Sequence, residues 1–267
     1  MITHRAIWRQ DAPDTAREAG ESCADKAWLS LVGRAAMHEF YTTRQIDAAG
    51  AGGCALAFTC SLTQGRPLLW VRHDAMDREV GTLHASGISD LGLDPAGMIL
   101  LRARNTQSAL QAALEGARCS SLGAVIVEFW GEASAYDLTA SRRLSLAAKA
   151  SGVPVFLLRS AARPAPSTAD TRWQVHAAPS GLRAARAPGD PRFALTLLRA
   201  RNGQEGLSLY LEWSRDARAF RICEANAATG FGAPPRRTAP ASLPRRLVSV
   251  SFDRSGTPSA LLRQRIG

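Results

Sequence analysis

The sequence predicts an α/β fold with a mainly parallel sheet flanked by helices, and with antiparallel strands added at one edge. Two observations carry this prediction. Up to Arg159, short apolar runs of strand length alternate with helical stretches, a pattern typical of βαβ units. After Arg159, several segments alternate apolar and polar residues, which is typical of antiparallel hairpins.

Five apolar runs are predicted to form the parallel part of the sheet. They are Met37–Thr42, Pro67–Val71, Met98–Arg102, Gly123–Glu128 and Val153–Leu158. The run Gly123–Glu128 (GAVIVE) is rich in β-branched residues, as strands in the middle of a parallel sheet are.

Helices are predicted between these strands. Residues 42–53 (TTRQIDAAGAGG) are small and are expected to form a flexible connection before the first helix. Asn105 is expected to cap a later helix, and Gly152 to end another one. The helix that Gly152 ends is Leu138–Ser151, and two further helices are predicted at Cys54–Leu62 and Asp77–Ser86.

The antiparallel part is predicted from four segments with a period of two. The dipeptide Asn202-Gly203 lies between two of them and favours a tight hairpin turn. The segments are Thr171–Ala177, Arg192–Arg199, Leu207–Trp213 and Ala219–Ile222.

Composition divides the chain into three parts. Residues 1–25 are polar and are expected to form a mobile arm, and residues 26–225 are expected to form the folded domain. Residues 226–267 are rich in Pro, Ala and Arg, with seven arginines against one acid, and are predicted to be a mostly disordered basic tail.

Length and composition also limit the class of protein. The chain has 267 residues, 46% of them hydrophobic, and is long enough to bury a sizeable core. It has no run approaching the roughly 18 apolar residues of a membrane span. The N-terminal segment MITHRAIWRQ lacks the apolar centre of a signal peptide. A cytoplasmic protein without membrane contact is therefore expected.

The charge of the chain favours acidic partners. The formal net charge is +10, and Lys26 and Lys149 are the only lysines among the basic residues. Arginine pairs with phosphate and carboxylate alike, so either DNA or an acidic protein surface fits. The five cysteines form no CxxC pair and have no histidine at metal spacing, so no zinc site or disulfide is predicted.

The first strand–loop–helix unit is the place to look for a phosphate-binding loop. Such a loop has the pattern GxxxxGK[ST], in which backbone amides surround the phosphates and lysine neutralises their charge. Gly50, Gly52 and Gly53 are present, but no lysine follows them. Arg44 lies in the same connection, but its rigid planar guanidinium differs from the compact ammonium group of a lysine. Tight packing of helix on strand is the favoured role of the glycines.

Two acids follow apolar runs. Glu128 ends GAVIVE, where a magnesium-organising acid would lie, and Asp74 follows PLLWVRH. Without the lysine, a structural or vestigial role is favoured for both. The sequence has no GxSxG motif to supply a nucleophilic serine beside a histidine, so a hydrolase triad is unsupported. The sequence predicts no catalytic residue, metal or cofactor, and hence a protein that is not an enzyme.

The order of elements resembles the RecA ATPase core. MHEFYT resembles the strand before its phosphate loop, WVRHD the strand that carries the catalytic carboxylate, and GAVIVE the Walker B strand. The resemblance places Arg159 near a nucleotide-sensing glutamine. It implies a RecA-like core with a vestigial nucleotide site, for which the candidates are Arg44, Gly50, Gly52, Gly53, Asp74, Glu128 and Arg159.

A closer resemblance is to the ImuA family of RecA-like accessory proteins in SOS mutagenesis. It rests on phrases such as LLWVRHDAMDREVG, LTASRRLSLAAKASGVPVFLLR and TRWQVHAAPS, and covers about residues 36–180. The resemblance implies an adaptor in translesion DNA synthesis after damage. The implied partners are an ImuB-type, Y-family-like protein without polymerase activity, an error-prone C-family polymerase, and RecA.

The basic tail is the second place where partners or DNA are expected to bind. Its candidates are Arg236, Arg237, Arg245, Arg246, Leu247, Phe252, Arg263 and Arg265. Three other functions stay open at this point. They are a divergent DNA-stimulated ATPase using Arg44, Asp74 and Glu128, a direct DNA-binding protein, and a cell-division inhibitor related to SulA.

Overall fold

A computed structural model describes residues 31–32, 35–63, 65–181 and 189–223. The predicted arm, all eight candidates of the basic tail, and the tail itself lie outside these residues. The strands are β1 (Met37–Thr42), β2 (Leu68–His73), β3 (Met98–Ala103), β4 (Ala124–Trp130), β5 (Val155–Ser160), β6 (Thr171–Ala178), β7 (Arg192–Ala200), β8 (Ser208–Ser214) and β9 (Ala219–Ile222). The helices are α1 (Gln45–Thr63), α2 (Ala75–Glu79), α3 (Ala85–Asp90), α4 (Thr106–Arg118) and α5 (Leu138–Ser151).

The strands form one nine-stranded sheet in the order β3-β2-β4-β5-β1-β6-β7-β8-β9. From β3 to β6 all neighbours are parallel, and β6 to β9 are antiparallel. Strand β6 therefore joins the two parts, because it pairs in parallel with β1 and antiparallel with β7. The predicted class is confirmed: the sheet is mainly parallel, helices flank it, and antiparallel strands extend one edge.

Two apolar layers hold the helices to the sheet. One contains Phe58 of α1 packed with Phe40 and Phe156, and the other contains Leu144 of α5 packed near Val127. Alternate residues of β1, β2, β4 and β5 enter opposite layers, since successive strand side chains point to opposite faces. The core residues of β6, β7 and β8 all lie in the first layer. The large rings of Trp70, Trp173 and Trp213 are fully buried in the first layer, where they serve packing.

Several predicted helix ends are confirmed by hydrogen bonds. Asn105 caps α4, and its Oδ1 accepts from the backbone amide of Ser108 at 2.8 Å. Helix α5 has the predicted bounds, and Asp137 caps it through the amide of Ala140 at 2.7 Å. Gly152 ends it with φ 75°, a left-handed conformation that favours glycine.

Two predictions about helices were wrong. Residues 42–53 do not form a flexible loop, because α1 begins at Gln45 and contains all three glycines. The alanines of this segment favour a helix, and its close packing on the sheet offsets the low helix propensity of glycine. The predicted helix Asp77–Ser86 is replaced by two short helices, α2 and α3, with Gly81 at φ 89° between them.

Candidate functional site

The carboxyl ends of parallel strands form the edge at which open α/β proteins bind ligands. The predicted nucleotide-site candidates all belong to elements that meet near this edge. Arg44 lies directly before α1; Gly50, Gly52 and Gly53 lie within α1; Asp74 follows β2; Glu128 lies in β4; and Arg159 lies in β5.

The connection between β1 and α1 is very short. Strand β1 ends at Thr42 and α1 begins at Gln45, so Thr43 and Arg44 alone join them. A phosphate-binding loop takes about eight residues to wrap its amides around a phosphate group. The chain has no room for such a loop at this position.

Of the three glycines, Gly50 lets α1 approach the sheet most closely. A Cβ on Gly50 would lie 3.1 Å from the Cβ of Ala177, which is tighter than ordinary contact. A Cβ on Gly52 would lie 3.6 Å from Oε1 of Glu128, and one on Gly53 would lie 3.8 Å from the ring of Phe193. The glycines thus take part in close packing of helix on sheet.

The first turn of α1 carries its own negative charge. The buried carboxylate of Asp47 accepts from Nε and Nη2 of Arg44 at 2.8 and 2.9 Å, and from the backbone amide of Ala177 at 3.1 Å. His176 Nδ1 lies 2.9 Å from the same carboxylate. Burial alone would raise the pKa of Asp47, but these hydrogen bonds outweigh it and hold the pKa below its ordinary value. An anionic ligand at this helix terminus would meet a fixed carboxylate.

A buried arginine neutralises Glu128. Nε of Arg72 donates to Oε2 of Glu128 at 2.7 Å, and both side chains are almost fully buried. Nη1 of Arg72 also donates to Asp77 and, at 2.7 Å, to the carbonyl of Gly81. Arg102 Nη2 lies 2.8 Å from the other oxygen of Asp77. We call Arg72, Asp77, Arg102 and Glu128 the Arg72 cluster.

The Arg72 cluster differs from a magnesium site in charge and in geometry. Burial raises the pKa of Glu128, and the neighbouring guanidinium of Arg72 partly offsets that effect. Asp74 is exposed at the start of α2, and within the described residues no hydrogen bond or ion pair joins it to Glu128. Glu128 is therefore already paired with a cation of the chain, whereas Asp74 lies outside this cluster.

A second buried group surrounds Arg159. The carboxylate of Glu39 is fully buried, accepting from the hydroxyl of Tyr136 at 2.5 Å and from Nε of Arg172 at 2.7 Å. Burial first, and then the charge of Glu39, raises the pKa of Tyr136 far above its ordinary value. The guanidinium of Arg159 lies 5.3 Å from the ring centre of Tyr136 and 5.7 Å from that of Tyr41. We call these five residues the Arg159 cluster.

Arg159 is less completely paired than Arg72. It is 2% exposed, and its Nε has no hydrogen-bond partner among the described residues. Its ion partner is Glu132, at 3.5 Å from Nη2, and the side chain of Glu132 is mostly exposed. Glu132 also accepts from the amide of Arg163 at 3.0 Å, so it links two loops at this edge.

Sequence reasoning missed several residues that form buried hydrogen bonds and ion pairs around the candidate site. They are polar positions inside buried strands or beside them, where an ionised side chain needs a partner. The signal was present in MHEFYT and LLWVRH, since Glu39 and Arg72 interrupt otherwise apolar strands. The missed residues are Glu39, Asp47, Arg72, Tyr136, Arg172 and His176.

Metal ligands, cysteines and the most apolar helix complete the description of this part of the chain. The described residues contain no group of three His, Cys, Asp or Glu side chains placed to hold a metal ion. The described cysteines, Cys54, Cys60, Cys119 and Cys223, are free. Helix α1 is long and apolar enough to cross a membrane by length and composition, but 61% of that stretch is buried, as in the core helix of a domain.

Comparison with known proteins finds solved structures that are similar to the chain. No protein-family model matches the chain, and no curated protein matches it. The chain is similar to the RadB recombinase in its crystal structure, with 16% sequence identity and a TM-score of 0.49 over 74% of this chain and 97% of the recombinase. At this identity the likeness concerns the fold alone, and it carries no argument about function.

Proposed function

We propose that the protein is a non-catalytic adaptor of an error-prone translesion DNA synthesis complex in the SOS response. It links an ImuB-type, Y-family-like protein and an error-prone C-family polymerase, and it also contacts RecA. The resemblance of about residues 36–180 to the ImuA family supports these partners. A cytoplasmic location is part of the proposal.

One observation supports the non-catalytic half of the proposal above all others. Two residues, Thr43 and Arg44, stand where a RecA-type ATPase has its phosphate-binding loop. The neighbouring charges agree with this, because Arg44 is already paired with Asp47 and Arg72 binds the acid that would organise magnesium. Such a site offers neither phosphate cradle nor metal ligand.

Calorimetry with magnesium-ATP tests this half directly. We expect no heat of binding, and no ATP hydrolysis with or without single-stranded DNA. DNA-stimulated hydrolysis that Glu128→Gln abolishes would contradict the adaptor and support the divergent ATPase. Tight binding without hydrolysis would show a retained structural nucleotide.

Co-purification tests the partner half. The full chain should retain the ImuB-type protein and the C-family polymerase, whereas unrelated basic proteins of similar charge should not. Deletion of residues 227–267 tests the tail, whose arginines and apolar residues are expected to add to partner binding. Unchanged binding after this deletion would remove the tail from the proposal.

A direct DNA-binding protein is the second candidate, favoured by the net charge of +10. Phosphate contacts release counterions, so its affinity for DNA would fall steeply with salt. Weak binding to DNA over a range of salt concentrations would leave the adaptor as the better account. Filamentous growth on overexpression would instead favour the SulA-related alternative.

A further inference from the structure

Strand β3 leaves one edge of the sheet open. It is the last strand on that side, and among the described residues it pairs with β2 alone. The pairing runs from Met98 to Ala103 without a bulge or a proline. Natural proteins protect such an edge with a bulge, a proline or a charge, because its backbone groups can otherwise pair with another strand. The first four residues of β3 carry none of these protections.

The side chains of β3 are apolar and exposed on both faces of the sheet. Ile99 is 53% exposed, and its neighbours Leu100 and Leu101 are 39% and 36% exposed. Ile99 and Leu101 lie on the face of the second apolar layer and Leu100 lies on that of the first, as their register partners in β2 do. An occupant of this edge must therefore bring apolar side chains to both faces. Strand β3 is itself such a strand.

The backbone groups at the open edge belong to alternate residues. The carbonyl of Ala103 accepts from the amide of Asp74, which follows β2, at 3.0 Å. The N–H and C=O of one strand residue point to the same side, and this side alternates along the strand. Residues 99, 101 and 103 therefore turn their backbone groups to β2, whereas Leu100 and Arg102 turn theirs to the open edge.

The charges at the two ends of β3 are opposite. Asp90 and Asp94 are exposed before its start, and Arg102 and Arg104 are exposed at and after its end. Arg104 makes no ion pair among the described residues. A second strand of the same sequence would meet opposite charges if it ran antiparallel, and like charges if it ran parallel. The surroundings do not repel a second copy either, because residues 74–104 contain five acids and three arginines in a chain of net charge +10.

We infer that two copies of this chain associate by antiparallel pairing of their β3 strands about a two-fold axis at Leu100. Leu100 donates to and accepts from Leu100 of the second copy, and the amide of Arg102 donates to the carbonyl of Met98. Symmetry doubles the second bond, which gives about four backbone hydrogen bonds. Ile99 lies opposite Leu101 of the second copy, so apolar side chains meet on both faces. The inference does not depend on the proposed function.

Sedimentation velocity of the full chain measures the association. Two short strands bury less than the roughly 1,200 Å² of a standard interface, so a weak dimer with a dissociation constant of about 1–100 µM is expected. The weight-average sedimentation coefficient should rise from the monomer to the dimer value across this range. A monomer at every concentration would leave the edge to a strand of another protein and overturn the inference. The adaptor proposal would then still stand, because its partners are tested separately.

A matched pair of variants locates the contact. Leu100→Lys places two like charges beside the two-fold axis and should weaken association about tenfold or more. Leu146 is 57% exposed on α5, away from the edge, and Leu146→Lys should leave the dissociation constant within about twofold of wild type. Unchanged circular dichroism and Tm are the check that each variant folds. Equal affinity of the two variants would mean that the copies associate through another surface, and the inference would be wrong.

Cysteines placed on β3 test the register without relying on a loss of binding. Ile99 and Leu101 of the second copy form a non-hydrogen-bonded pair, with Cα atoms about 4.5 Å apart, a separation that a disulfide can span. Mild oxidation of a mixture of Ile99→Cys and Leu101→Cys should link the two positions, as the mass of the joined peptides shows. Each variant alone should cross-link at this strand far less, and wild type gives the background from exposed Cys119. Equal cross-linking in the mixture and in the separate variants would overturn the two-fold pairing.

Discussion

The Arg72 cluster and the Arg159 cluster each contain a buried arginine, but the two arginines differ in how completely they are paired. Each buries an arginine in the parallel sheet, where an unpaired charge is costly. Arg72 meets two carboxylates and a carbonyl, whereas Arg159 meets two tyrosine rings and one exposed glutamate and leaves its Nε unpartnered. The comparison teaches that burial alone does not measure how strongly the fold depends on a charged residue. That dependence is set by the number of buried partners that are left unpaired when the residue is removed.

The largest effect is expected for Arg72→Met. This change leaves Glu128 buried with its charge unpaired, and breaking such a pair costs about 3–5 kcal/mol. Urea unfolding measures the loss. The control is Arg102→Met, whose exposed pair with Asp77 contributes about 1 kcal/mol or less. The double variant Arg72→Met with Glu128→Leu should recover much of the stability, and equal losses in the single and double variants would contradict this account.

A smaller effect, with a characteristic pH dependence, is expected for Asp47→Asn. The pKa of Asp47 is lowered in the folded state, so the unfolded state binds the proton more readily. The stabilisation by Asp47 is therefore present above its unfolded pKa of about 3.9 and is lost as pH falls through the lower folded pKa. Wild type should lose stability over that acidic range, and Asp47→Asn should lose less. If the free energies of unfolding of the two proteins fell in parallel with pH, Asp47 would not be the group responsible for the loss of stability.

Gly52→Ala is expected to stabilise the protein by about 0.5–1 kcal/mol. Gly52 lies inside α1, and alanine is favoured over glycine in a helix interior. The added Cβ meets only ordinary contacts at 3.6 Å with Glu128 and Trp70. Gly116→Ala is the contrasting control, because its Cβ would lie 2.4 Å from Cδ2 of Leu69 and should destabilise. A lower Tm for Gly52→Ala would mean that α1 packs more tightly against Glu128 and Trp70 than these distances indicate.

The smallest effect is expected for Arg159→Met. The substitution keeps apolar volume between the two tyrosine rings. It leaves no buried carboxylate unpaired, since Glu132 is mostly exposed. The free energy of unfolding should change by about 1 kcal/mol or less in either direction. Arg172→Met, which deprives the fully buried Glu39 of its ion partner, should cost considerably more. Similar losses in both variants would contradict the view that the number of buried partners left unpaired sets the cost.

The sequence predicted the strands well because those of the parallel part are apolar runs, and those of the antiparallel part alternate apolar and polar residues. Helix α5 was predicted to the residue, since Ser141, Leu144 and Ala148 at helical spacing mark its buried face and Gly152 marks its end. The first helix was mispredicted at its start because glycines favour a loop locally, while packing against Ala177 and Phe193 favours a helix. That packing comes from distant segments and leaves no local signal.

The candidate site was predicted only in part for a similar reason. Glu128 was correctly placed toward the end of a buried strand, but its pairing with Arg72 joins positions 56 residues apart. This pairing depends on the register of β2 against β4, which aligns Arg72 with Glu128 across the sheet. Register is a property of the folded sheet, and the spacing of residues along one chain does not determine it.

The two-residue connection between β1 and α1 also limits which changes of sequence could build a phosphate-binding loop there. A lysine substituted for Arg44 would supply a charge but no ring of amides around it, because Thr43 would be its only neighbour outside the strand and the helix. A cradle would take an insertion of several residues, which would shift α1 away from Ala177 and Glu128. Point substitutions in this connection therefore leave its length unchanged, and a connection of this length cannot surround a phosphate group.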